Sequence, residues 1–105
     1  MDDALIRDIV QKIVAAFHPR RIILFGSRAR GEQRADSDVD LFVEMESNDR
    51  PIQRRLRIRE LFWPQWWGMD LLVLTPQEVA RQRHSHASLV PVIEKEGKLL
   101  YERRD

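Results

Sequence analysis

Two acidic side chains, Asp38 and Asp40, stand two positions apart in Ser37-Asp38-Val39-Asp40-Leu41-Phe42-Val43, shortly after a Gly26-Ser27 pair that ends an apolar run. Side chains at i and i+2 of a strand share a face, so these carboxylates repel one another unless a cation lies between them. Hard oxygen donors of this kind suit Mg²⁺, which is usually shared between one or two carboxylates, water and substrate phosphates. Gly26 lets a backbone approach a phosphate closely, and Ser27 adds a hydroxyl and an N–H. Arg28 and Arg30 add charge-assisted donors nearby. Asp40 is followed by Leu41-Phe42-Val43, which places it inside a strand, where aspartate is disfavoured. Asp70 has the same oddity within Met69-Asp70-Leu71-Leu72-Val73-Leu74, where an unpaired buried carboxylate costs several kcal/mol. A neighbouring strand that sets Asp70 against Asp38 and Asp40 makes a three-carboxylate cluster for two metals ~4 Å apart, suited to in-line displacement at phosphorus.

The elements that must position these groups are legible in the pattern. From Asp2 or Asp3, apolar residues recur at Ile6, Ile9, Val10, Ile13, Val14 and Phe17, one stripe of a helix that stops near His18-Pro19. Arg21 to Phe25 is a short β-branched and aromatic strand ended by Gly26, with Ser27 to Gly31 as a tight turn or a short helical piece. Ser37 to Met45 is a second strand with Val39, Leu41 and Val43 on one face and Asp38, Asp40 and Phe42 on the other. Pro51 opens a helix running to about Trp63 and closed by Pro64. Met69 to Thr75 is a third strand, apolar enough for burial on both faces. Thr75-Pro76-Gln77-Glu78 is a capping box for a helix toward Arg83. Ser88 starts another helix ending at Gly97, and Lys98 to Tyr101 forms a final edge strand.

Composition bounds the answer. At 105 residues the chain is one α/β domain, 1–105, with room for a single core and none for a separate substrate domain. A net charge of +1 with 33% charged residues gives no general electrostatic signal for nucleic-acid binding. The absence of cysteine excludes a disulfide framework and thiolate-bound zinc. No apolar run approaches the ~20 residues of a membrane span, and the acidic start Met1-Asp2-Asp3-Ala4 is unlike a secretory signal. The expectation is a soluble, cytoplasmic protein.

Other conspicuous residues have plainer readings. Arg50, Arg54, Arg55, Arg57 and Arg59 suit a solvated helix face, although such a face can also meet a partner. Phe62, Trp63, Trp66 and Trp67 suit the sheet edge and core at least as well as a partner interface. His84 and His86 fall in an interhelical connection without further ligands nearby, and Tyr101 reads as an edge-strand residue. Asp36 and Glu44 fit solvated positions.

Taken together, Gly26-Ser27-Arg28-Ala29-Arg30-Gly31, Ser37-Asp38-Val39-Asp40-Leu41 and Met69-Asp70-Leu71-Leu72 resemble the polymerase-β nucleotidyltransferase superfamily, and within it the minimal nucleotidyltransferases. The resemblance covers nearly the whole chain. It implies a mixed β-sheet of about four strands with helices packed on it, an α/β (α+β) fold. It also implies Mg²⁺-dependent transfer of a nucleoside monophosphate from an NTP such as ATP to a hydroxyl. By the same resemblance Gly26 and Ser27 match the phosphate-binding turn, Asp38 and Asp40 the metal pair, and Asp70 the third carboxylate. Minimal members are typically encoded beside a HEPN-domain RNase toxin and act as its antitoxin, and related members add AMP to a tyrosine of that partner. The alternatives are a module that silences its partner by complex formation alone, and nucleotidyl transfer to a small molecule.

Overall fold

The N-terminal apolar stripe becomes helix α1, Asp3–Phe17, in a computed structural model that describes residues 3–32, 38–65 and 67–104. Ile9 and Ile13 on that stripe are fully buried. The chain continues through β1 (Arg21–Phe25), β2 (Val39–Glu44), α2 (Pro51–Glu60), β3 (Met69–Leu74), α3 (Pro76–Gln82), α4 (Val90–Glu96) and β4 (Lys98–Glu102). The four strands form one mixed sheet in the order β3-β2-β1-β4. β1 is antiparallel to both β2 and β4, while β2 and β3 run parallel.

Alternation along the strands divides the core in two. Ile22, Leu24, Val39, Leu41, Val43, Leu71 and Val73 pack with Ile9 and Ile13 of α1 and Ile58 of α2. On the other side Ile23, Phe42 and Leu74 pack with Val79 of α3 and Val90 and Ile93 of α4. Asp40 and Asp70 share the parity of Phe42 and Leu72, so they lie on the α3/α4 side. They sit at the end of the sheet where β1 leaves and β2 and β3 enter.

Local signals set the boundaries. The expected capping box forms: Thr75 Oγ1 accepts from Glu78 N–H (3.2 Å) and Glu78 Oε1 accepts from Thr75 N–H (2.9 Å). Helix α2 ends at Glu60 rather than Trp63, with Leu61 as its cap. Helix α4 begins at Val90, whose N–H is accepted by the Ser88 hydroxyl (3.1 Å). Ser37, part of the expected second strand, and Asp36 lie outside the described residues, as does Trp66.

Two expectations require correction. Glu44 is not solvated: it is 4% exposed, accepts from Arg21 (2.7 Å) and also pairs with Arg20 (3.6 Å). Arg21 continues to Glu94, which in turn binds Arg83, so β1, β2, α3 and α4 are linked through one charged chain. The arginines of α2 are not one solvated face either. Arg54 is buried, where it donates to Asp49 O, Val73 O and both oxygens of Glu78, the closest at 2.6 Å. In sequence an arginine in a basic run carries no mark of burial, because Val73 and Glu78, which hold its guanidinium against β3 and α3, lie 19 and 24 positions away. The aromatic group also divides: Phe62 meets Trp67 edge-on at 5.7 Å, whereas Trp63 is 81% exposed. Tyr101 lies on the edge strand as expected, and His84 and His86 are exposed between α3 and α4.

Candidate active site

Register decides which of the acidic residues meet. Asp40 stands opposite Phe25 on one side and opposite Asp70 on the other. Adjacent strands lie about 4.8 Å apart, so two carboxylates on facing positions of the same sheet face are forced together. Asp40 and Asp70 share a side-chain hydrogen bond. Burial, the Asp70 charge, that hydrogen bond and the Asp38 charge push Asp40 from 3.8 up to about 6, against the opposing pull of the Arg28 guanidinium. Asp40 therefore takes up a proton at a higher pH than an ordinary carboxylate.

Glycines make room for this arrangement. Gly26 has φ +75°, and a Cβ there would run into the Asp40 carboxylate, lying 3.0 Å from its carboxyl carbon and in collision with Oδ2. Gly26 thus answers two demands, a left-handed backbone and the space taken by Asp40. Gly68 does the second of these for Asp38: a Cβ at Gly68 would collide with Asp38 Oδ1. The same residue fixes the strand entrance, because its carbonyl accepts from Val39 N–H at 3.0 Å. Gly68 was not singled out in the sequence, because the Asp38 side chain it makes room for lies 30 positions away.

The turn after β1 is closed by its own backbone: Arg30 N–H reaches Gly26 O (3.3 Å) and Glu32 N–H reaches Ser27 O (2.9 Å). This holds Ser27 directly after Gly26, the residue that faces the Asp40 carboxylate. The two arginines differ. Arg28 is 9% exposed, donates from Nε to the Asp38 carbonyl (3.3 Å) and keeps its charge close enough to act on Asp40. Arg30 is exposed and pairs with Glu32 at 3.1 Å.

The structure therefore brings Gly26, Ser27, Arg28, Asp40 and Asp70 together, with Asp38 beside Gly68 at the same end of the sheet. Among the described residues no group of three or more His, Cys, Asp or Glu is already spaced to hold a metal ion. The formed unit is the Asp40–Asp70 pair with Asp38 alongside, rather than a closed triad. The donors fit Mg²⁺: they are hard oxygens at one end of the sheet, and the burial and carboxylate repulsion that raise Asp40 are what a divalent cation would offset. Among the described residues no helix is long and apolar enough to cross a membrane.

Comparison with known proteins meets this geometry from outside. The model of the family described as "Polymerase beta, Nucleotidyltransferase" matches residues 7–105. A Methanocaldococcus jannaschii protein named "putative protein adenylyltransferase" is 53% identical over 32 residues, which is 30% of this chain and 32% of that protein. The match thus spans about a third of that relative's length. Among solved structures, one described as a "putative nucleotidyltransferase from Sulfolobus solfataricus" superposes with a TM-score of 0.67 at 22% identity, covering 95% of this chain and 79% of that one. Another, described as a "toxin-antitoxin with AMP-PNP", gives 0.62 at 24% identity, covering 92% and 73%. Both likenesses concern the fold.

Proposed function

The chain belongs to the polymerase beta nucleotidyltransferase family, and from that premise we propose that it transfers AMP from ATP to a protein hydroxyl, a tyrosine of a HEPN-type RNase toxin, and so acts as an antitoxin. The observation that carries this reading is the Asp40–Asp70 pair, which lies one strand away from the Gly26-Ser27 turn. The names of the adenylyltransferase relative and of the toxin-antitoxin structure support it.

In this reading Gly26, Ser27 and Arg28 receive the outer phosphates through backbone N–H, hydroxyl and guanidinium donors. Asp38, Asp40 and Asp70 would hold Mg²⁺, two ions in this reading, and the bound metal would supply charge neutralisation for the transfer. The acceptor oxygen forms a bond to the α-phosphorus as the bond to the bridging oxygen of the β-phosphate breaks. Pyrophosphate leaves toward Gly26-Ser27, and the hydroxyl proton passes to the Asp70 carboxylate, which is exposed.

The test is incubation of the purified protein with the product of its neighbouring gene, Mg²⁺ and ATP labelled at the α-phosphate, alongside Asp38→Asn/Asp40→Asn. Label on the neighbour with the wild type alone supports the proposal. A stable complex that carries no label with any NTP refutes it in favour of neutralisation by binding.

A further inference from the structure

Strand β3 is the outermost strand on the Asp70 side of the sheet. Its even-numbered carbonyls face β2, as Gly68 O to Val39 N–H and Leu74 O to Met45 N–H record, so the backbone groups of Met69, Leu71 and Val73 point outward. An outward edge is an invitation to another chain unless it is covered. Here α2 covers two of its three positions: Arg59 donates to Met69 O (2.6 Å) and Arg54 to Val73 O (3.2 Å). Between these two capped carbonyls lies Leu71, on a cleft of about 190 Å³ that also reaches Asp70, Arg55, Ile52 and Leu56.

The cleft is built unlike the rest of α2. Ile52 and Leu56 are 57% and 53% exposed, one turn apart on the helix. Arg54, Arg57 and Arg59 are committed to Glu78, Asp49 and Met69 O. Arg55 has no ion-pair or hydrogen-bond partner among the described residues. Two exposed aliphatic side chains and one unspent cation thus border the carboxylate at the open end of the site.

Geometry across the sheet supplies the direction. Gly26, Asp40 and Asp70 follow one another on β1, β2 and β3. In-line displacement needs the attacking and leaving oxygens on opposite sides of phosphorus. With the outer phosphates at Gly26, the acceptor enters from beyond Asp70, where this cleft lies. We infer that the cleft between α2 and the outer edge of β3 is the docking groove for the acceptor: an extended protein segment that sets an apolar side chain on Ile52 and Leu56, an acidic side chain on Arg55, and its hydroxyl at Asp70. The aliphatic pair suits a peptide side chain, whereas single-stranded RNA asks for aromatic stacking and several cations. This inference rests on the nucleotidyl-transfer reading for its direction.

Two fluorescent peptides test it, one with a tyrosine flanked by leucines and glutamates and the other with lysines replacing the glutamates. Each is titrated into the full chain with Mg²⁺ and a non-hydrolysable ATP analogue, and label transfer from ATP is measured in parallel. The acidic peptide is expected to bind more tightly by at least about fivefold, the size of one exposed ion pair. Arg55→Glu abolishes that preference and Leu56→Asp weakens both peptides, with melting temperatures kept because both side chains are exposed. Equal binding of the two peptides, binding of neither, indifference to both variants, or displacement by a short single-stranded RNA overturns the groove. If the acidic peptide binds as expected but takes no label, the transfer reading fails and the groove stands. If label passes without regard to Arg55 and Leu56, the groove fails and the transfer reading stands.

Discussion

Replacing Asp40 by Asn should make the metal-free protein more stable at neutral pH. In the folded chain Asp40 is raised from 3.8 to about 6 by burial first and then by Asp70 and Asp38. A group whose folded pKa lies above its unfolded value contributes stability that is full below pH ~4 and is lost as pH rises through ~6. A displacement of about two units corresponds to about 3 kcal/mol if taken whole. Asp40 is half-buried, and solvent screening reduces this to about 1–2 kcal/mol. Asn is nearly isosteric and cannot ionise, so it escapes the loss. For a domain of this size the gain is about 5–10 °C in Tm at pH 7.5, shrinking toward nothing at pH 4. Thermal melts of both proteins in EDTA across pH 4 to 8 measure the difference directly, since titration of every other group cancels between them. Added Mg²⁺ should raise the wild-type Tm at pH 7.5, do so less below pH 6 where protons compete, and leave Asp40→Asn almost unmoved. A Tm difference that is negative at pH 7.5, or constant across the range, refutes the argument that Asp40 is held ionised against burial and like charge.

Three further outcomes follow from the same contacts. Gly26→Ala combines left-handed strain with a collision at the Asp40 carboxylate, whereas Gly31→Ala at φ +73° meets open space, so melts should show a loss of about 2–4 kcal/mol for the first and about 1 for the second, with the proposed AMP transfer abolished only by the first. Arg54→Ala leaves Glu78 and the Val73 carbonyl without their buried partner and should cost about 3–5 kcal/mol in urea unfolding. Burial acts to raise Glu78, but its hydrogen bonds with Arg54 and Thr75 outweigh that and hold it below 4.5; its contribution is present above that pH and lost as pH falls through the folded value, so the Arg54→Ala deficit should narrow in acid. Glu44→Gln weakens the chain from Arg20 and Arg21 and should lower stability by about 1–3 kcal/mol without changing Mg²⁺ binding, which isothermal titration checks, because Glu44 lies at the opposite end of β2 from Asp40.

The amino-acid order determined the elements and most of the site on its own. A period of 3.6 placed α1, a β-branched run ended by Gly26 placed β1, a period of 2 placed β2, and the Thr75-Pro76-Gln77-Glu78 cap fixed α3, because these signals are carried by neighbours along the chain. Asp40 and Asp70 stood out as acids within strands for the same local reason. Pairing was a matter for the tertiary structure. Only the parallel register of β2 with β3 sets Asp40 opposite Asp70, and that contact adds to the burial that raises the pKa of Asp40. The closing of space at Gly26 and Gly68 likewise depends on side chains from other strands. The buried charges show the limit most plainly: Arg54 and Glu44 look solvated when read locally, yet the charged partner of each, Glu78 for Arg54 and Arg21 for Glu44, is 23 or more positions distant. A charge can be buried only where its counterpart is delivered, and that delivery belongs to the fold.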